Sequence, residues 1–236
     1  MIPQSQLLDF FVEVTDTLVD DFDLVEFLHA LAAKAAVVSG AAAVGLVLTD
    51  HHDRVRYMAS SNEDGKLLEL LQIQNDDGPC LDAITNGWQV VNADLGEAGD
   101  RWPRFAPAAR AMGFQSVHAF PMRVRTQTIG ALNIFGTDST RFHSDEVRVV
   151  QALADVATIA IIHERLRHEA ELIATQLQNA LTSRIVIEQA KGALARAQGI
   201  TTSQAFDLIR TMARSTGRRL HDVAAAVVDD LDTSGG

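Results

Sequence analysis

Cysteine is almost missing: Cys80 is the one cysteine in 236 residues. That excludes an intrachain disulfide framework and a cysteine-based zinc cluster. No apolar run approaches the roughly 20 residues that span a bilayer. Residues 1–11 carry no basic side chain ahead of their apolar ones, unlike a secretory signal. A cytoplasmic chain without membrane contact is therefore expected. No glycine-rich turn joins a strand-like stretch to a helix-like one, which argues against a dinucleotide or nucleoside-triphosphate loop. No nucleophile–base pair or carboxylate dyad stands out, so catalysis has no support. The expectation is a non-enzyme with neither metal nor cofactor.

Positive charge is also short, with 20 Lys and Arg against 31 Asp and Glu. The deficit is uneven. Residues 1–165 hold 12 basic and 23 acidic side chains, while residues 166–236 hold 8 of each. Within 184–219, Arg184, Lys191, Arg196, Arg210, Arg214, Arg218 and Arg219 face only Glu188 and Asp207. An acidic chain as a whole argues against nucleic acid; a local block of net +5 reopens that question.

Glycine and proline are both absent from 144–191. At about 1.5 Å per residue such a helix spans roughly 70 Å, more than one compact domain needs. Its apolar residues recur at heptad spacing. Val149, Val156, Ala170 and Leu177 take one seam position; Ala152, Ile159, Leu166, Ile173, Ala180 and Ile187 take the other. His163, Arg184 and Lys191 break the seam. The stretch is expected to close one core over 144–163, pair two chains through 149–183, and enter a second core near 184.

Helical spacing marks 4–19, 23–38, 66–74, 80–85 and 105–112. Strand patterns mark 43–49, 55–60, 89–91, 116–124 and 128–135, with hairpins at 50–54 and 125–127. This is an α+β layout with a sheet flanked by helices. After 198–199, Thr201 and Gln204 fit a capping box. Ala205, Leu208, Ile209 and Met212, then Leu220, Val223, Ala224, Val227, Val228 and Leu231, give two more amphipathic helices. Three short helices with a common core result.

Two sets of residues point to families. Gly78-Pro79-Cys80-Leu81-Asp82-Ala83, Gln89-Val90-Val91, Trp102-Pro103-Arg104-Phe105, Ser116-Val117-His118-Ala119-Phe120-Pro121 and Ile129-Gly130-Ala131-Leu132-Asn133 occur in order. Over residues 20–165 the chain resembles the GAF sensor domains of actinobacterial regulators. The resemblance implies a central antiparallel sheet, with a ligand pocket between one face and the short helices and loops over it. The run from Arg184 to Leu194, then Ala205-Phe206 with Leu208-Ile209-Arg210, then Leu220 with Asp222-Val223-Ala224, is similar to an ANTAR domain. That similarity implies a small helical module which binds RNA stem-loops as a dimer in transcription antitermination. Expected boundaries are 1–165 for the GAF sensor, 166–183 for a coiled-coil linker and 184–236 for the ANTAR domain.

The expected partners are thus RNA stem-loops, a second copy of the chain and a small-molecule ligand. The seven basic residues named above are the candidate RNA contacts; the structural alternative is a solvated surface with Arg184 paired to Glu188. Phe206, the tail's one aromatic, is expected in its core. The candidate pocket residues are Cys80, Trp88, Trp102, Phe105, His118 and Phe120. Cys80 sits where a helix begins, which would lower a thiol pKa, or it is a small core residue. His118 is either a ligand or a satisfied core histidine. The tryptophans and Phe105 either line a small pocket or cover the sheet. Asn133 followed by Ile134, and Phe142 standing one residue too close to Asp145-Glu146, depart from the cyclic-nucleotide GAF pattern. The alternative function is a GAF signalling module whose helical tail binds a protein.

Overall fold

The computed structural model describes residues 23–50, 52–139 and 141–234, with side chains up to Asp230. The helix expected at 4–19 and the side chain of Leu231 lie outside the described residues. The chain divides into two compact units between Arg165 and Leu166.

The first unit begins with α1 (Leu24–Ser39), capped by Asp23, whose carboxylate accepts from the N–H groups of Val25 and Glu26. Then come β1 (Ala43–Thr49), β2 (Val55–Ser60), α2 (Glu63–Asn75), α3 (Pro79–Asn86), β3 (Val90–Asp94), α4 (Phe105–Ala111), β4 (Ser116–Val124) and β5 (Gln127–Gly136). The five strands form one antiparallel sheet in the order β2-β1-β5-β4-β3. Arg125 takes a left-handed φ of 55° in the tight β4–β5 turn, which suits the twist of a two-residue hairpin.

Strand alternation sends neighbouring residues to opposite faces. On one face Val44, Leu46, Phe120, Met122 and Leu132 meet Leu28 and Leu31 of α1. The long helix α5 (Ser144–Gln198) covers the same face with Val150, Leu153, Ala154, Ala157 and Ile161. On the other face Val117, Ala119 and Phe135 lie under Ala83, Trp102 and Phe105. Val47 and Ala131 lie under Cys80 on that side.

Apart from Val156, which packs at its margin, the core does not take the heptad seam of α5. Its contacts fall on 150, 153, 154, 157 and 161, whereas Ile159 of the seam is exposed. At 100° per residue, the core stripe and the seam occupy different sides of the helix. Further along, Leu166, Ile173 and Leu177 are also exposed. The helix runs past residue 165 without a break and past Gly192 to Gln198.

In the second unit, the last turns of α5 pack with α6 (Thr202–Thr216) and α7 (Leu220–Ser234). Thr201 and Gln204 form the capping box in both directions. Gly217, with φ at 65°, ends α6 in a conformation that disfavours a side chain. Ala190, Leu194, Ala205, Ile209, Ala213, Val223, Ala224 and Val227 make the core. Among the described residues there are seven helices, and none is long and apolar enough to cross a membrane.

Candidate functional site

A buried polar cluster interrupts the α2/α3 face of the sheet. The buried stripe of α2 is Gly65, Leu68, Glu69 and Gln72, while Leu67 is exposed. A carboxyl and an amide thus take positions that the helix's own leucines could have filled. Asn133 Nδ2 donates to Glu69 Oε1 at 2.7 Å, and Gln72 Nε2 donates to Glu69 Oε2 at 2.9 Å. The backbone N–H of Cys80 donates to Gln72 Oε1 at 2.9 Å. Gly45 on β1 makes the room: a Cβ there would collide with the Glu69 carboxyl. Asn133 Oδ1 has no hydrogen-bond partner among the described residues.

Burial pushes the Glu69 carboxyl up to about 8, against the pull of the Asn133 and Gln72 donors. Its protonation has a geometric consequence. The Cys80 N–H fixes Gln72, so Gln72 Nε2 must keep facing Oε2. A proton on Glu69 Oε1 would find an acceptor in Asn133 Oδ1 if that amide turned, since Oδ1 has no other partner among the described residues. The Cys80 thiol, near the start of α3, is raised by burial first and by the neighbouring Glu69 second. The lowering expected from a helix start is outweighed, because the thiol is fully buried.

The structure brings some of the sequence-derived pocket residues together and separates others. Cys80 joins the polar cluster. Trp102 and Phe105 pack edge-to-face at 6.3 Å on the same sheet face. Trp102 Nε1 donates to Asp82 at 3.1 Å, and Asp77 accepts from the N–H groups of Arg104 and Phe105, which caps α4. Trp102 also borders a cleft of about 430 Å³ beside β3, with Val91, Asn92, Glu97 and Arg101. Trp88 is 75% exposed and lines nothing with them. His118 and Phe120 point to the opposite face, because they alternate with Val117 and Ala119 on β4. His118 is a satisfied core histidine: Nδ1 accepts from the Asn92 N–H at 3.1 Å and the ring stacks on Phe142 at 4.1 Å. Burial lowers it to about 4, so the ring is neutral with its proton on Nε2.

Sequence reasoning did not single out Glu69 or Gln72, and it named Asn133 in the family motifs without placing it in the pocket. Asn133 carried a signal, since it falls between Ala131 and Phe135 on an inward side. Glu69 and Gln72 carried less, because leucines at 67, 68, 70 and 71 surround them and hide the helix phase. Among the described residues, no three His, Cys, Asp or Glu side chains gather to hold a metal ion.

The basic block lies on the second unit. Glu188 pairs with Lys191 at 2.9 Å, not with Arg184. Arg210 pairs with Asp207 at 2.8 Å. Arg218 donates to the carbonyl of Asp222. Arg184, Arg196, Arg214 and Arg219 have no carboxylate partner among the described residues. Arg219 borders a cavity of about 600 Å³ with Asn179, Thr182, Ser183 and His221.

Residues 23–162 match the GAF domain family and residues 175–228 match the ANTAR domain family. No curated protein sequence matches the chain. Solved structures are similar to the first unit. The GAF domain of a phosphoenolpyruvate-protein phosphotransferase from Coxiella burnetii has 17% identity and a TM-score of 0.55, covering 70% of this chain and 98% of that one. The equivalent Acinetobacter domain has 17% identity and a TM-score of 0.54, covering 67% and 94%. Free methionine-R-sulfoxide reductase from Neisseria meningitidis, in complex with its substrate, has 18% identity and a TM-score of 0.51, covering 65% and 87%. At these identities the likeness concerns the fold.

Proposed function

Because this chain belongs to the GAF domain family and continues into an ANTAR domain, a sensory module joined to an RNA-binding antitermination module, we propose that it is a signal-responsive regulator of transcription antitermination. The ANTAR unit binds RNA stem-loops, working as a homodimer through α5. The GAF unit senses a ligand or state. Its sensing centre is the cluster of Glu69, Gln72, Cys80 and Asn133, where the charge of one buried group is linked to the orientation of another. The protein acts without catalysis: burial favours neutral forms of both Glu69 and Cys80, which suits a sensing cluster better than a thiolate nucleophile.

The observation that carries the RNA reading is the set of unpaired cations on the second unit. Five of the block's seven basic residues, Arg184, Arg196, Arg214, Arg218 and Arg219, have no carboxylate partner among the described residues, so they can meet phosphates without first breaking an ion pair. Pairing of two chains is supported by the exposed seam leucines, with Leu177 at 66%. The test is binding of the full chain to a tandem stem-loop RNA over a salt series. Lys191→Ala and Arg214→Ala should each weaken binding and flatten the salt dependence by about 0.7 to 0.9 per lost phosphate contact. Tight binding untouched by either change, or no binding at any salt, rejects the assignment. Sedimentation of the same samples checks the dimer, and a monomer at every concentration rejects the pairing.

A further inference from the structure

The basic block contains one aromatic ring, and that ring lies outside the core. α6 buries Ala205, Ile209 and Ala213, spaced four apart. Phe206 lies at the edge of that stripe, about 100° from Ala205 but only about 20° from Ala213. It is half-buried, and the second unit's core is assembled without it. Two cations cover the ring instead. Lys191 Nζ, reaching from α5, lies 5.6 Å from the centroid, and the Arg210 guanidinium, one turn along α6, lies 6.0 Å from it. Each of these cations is also held by an acid. Lys191 donates to both oxygens of Glu188 at 2.9 Å, and Arg210 donates to Asp207 at 2.8 Å. Glu188 and Asp207 are the two acids of residues 184–219, and both sit on the cations beside this ring.

We infer that Phe206 is a stacking platform for an unpaired RNA base, covered in the free protein by Lys191 and Arg210 and uncovered when RNA phosphates draw those cations away from Glu188 and Asp207. The inference rests on RNA binding by the second unit. Loop bases are unstacked and offer a π face that an aromatic side chain can take up. An aromatic confined to packing would sit among the alanines and isoleucines of the core, not beneath an ammonium and a guanidinium. The covering contacts are easy to exchange. Both acids are more than half exposed, and acid–base pairs three residues apart on a helix are weak, so phosphate oxygens compete for the two cations. Once moved, the two cations hold the backbone on either side of the stacked base.

The test uses the full chain and RNAs that wild type selects from a tandem stem-loop pool randomised in its loops. Phe206→Leu should raise Kd by roughly 5- to 100-fold. The salt dependence should not change, because no phosphate contact is removed. Glu188→Gln should lower Kd by roughly 2- to 5-fold, since Lys191 is released from its acid. With 5-iodouridine in the loops, ultraviolet crosslinking should recover the peptide containing Phe206. Selected RNA that binds Phe206→Leu as tightly as wild type overturns the inference, as does a crosslink that maps elsewhere. If Phe206→Leu does not fold, the crosslink decides. A pool from which wild type retains nothing at any salt removes the RNA reading itself, and this inference with it.

Discussion

On the α1/α5 face of the sheet, Leu46, Leu132 and Phe120 meet aliphatic side chains of two helices. One strand position away, on the α2/α3 face, Gly45 and Asn133 meet the carboxyl of Glu69. Both faces are buried along β1, β4 and β5; the first admits one polar exception, His118, while the second is built around a cluster of polar side chains. The leucines and phenylalanine of the first face have one state, and burial holds that face's His118 neutral down to about pH 4. A core containing a carboxyl and two amides has two states, because a proton can be added and an amide turned. Sharing β1, β4 and β5 places the fixed face and the switchable face back to back, so the sheet is held by one while the other changes.

The largest expected effect belongs to the fixed face. Leu153 is 1% exposed and packs against the sheet from α5. Leu153→Ala should cost about 2–5 kcal/mol of unfolding free energy, from lost burial and the cavity left behind. Urea denaturation should show the same loss at pH 5.5 and at pH 8. A loss that varies strongly with pH would mean the two faces are not independent.

The switchable face should respond to pH with a defined sign. An unfolded glutamate loses its proton near 4.5, and folded Glu69 loses it near 8. Between those values the folded chain holds one proton more, so stability is full below 4.5 and declines as pH rises through 8. The slope is about 1.4 kcal/mol per pH unit, or about 2 kcal/mol between pH 6.5 and 8. In Glu69→Gln the new amide keeps one acceptor for Gln72 and offers a donor to a turned Asn133, as the protonated acid does. That substitution should therefore flatten stability across this range. A wild-type curve already flat between pH 6.5 and 8 would remove the switch.

Which face a residue serves was written in the strands more clearly than in the helices. Residues 116–122 alternate, and that alternation alone puts His118 and Phe120 across the sheet from Val117 and Ala119. Grouping them with Cys80 and Trp102 followed family resemblance against the strand's own period. The α2 phase was not legible, because four leucines around Glu69 leave no obvious polar side. The exchange between Cys80, Gln72, Glu69 and Asn133 joins residues up to 64 apart in sequence; no local pattern encodes it. The tail was easier. Thr201 and Gln204 announce α6. Of the face expected at Ala205, Leu208, Ile209 and Met212, however, the core takes Ala205 and Ile209 with Ala213, leaving Leu208 and Met212 exposed. Phe206, expected in the core, is half-buried beside it.

The smallest effect concerns His118, the one titratable group among the sheet residues of the fixed face's core, and it sharpens the contrast. Its pKa falls from 6.5 to about 4 on folding. Between those values the unfolded chain holds the extra proton, so His118 makes stability rise with pH and lets it fall as pH drops through 4. From pH 4.5 to 6.5 this slope opposes that of Glu69, and wild-type stability should be nearly level. His118→Gln should cost only about 1 kcal/mol at pH 7, because the amide oxygen can still accept from the Asn92 N–H while the stacking on Phe142 is lost. Its diagnostic result is elsewhere. Without the histidine the Glu69 slope stands unopposed from pH 4.5, so the variant's stability should decline with pH throughout that interval, measured by urea titration at half-unit steps. A variant as level as wild type there would show that the two faces do not titrate with opposite signs.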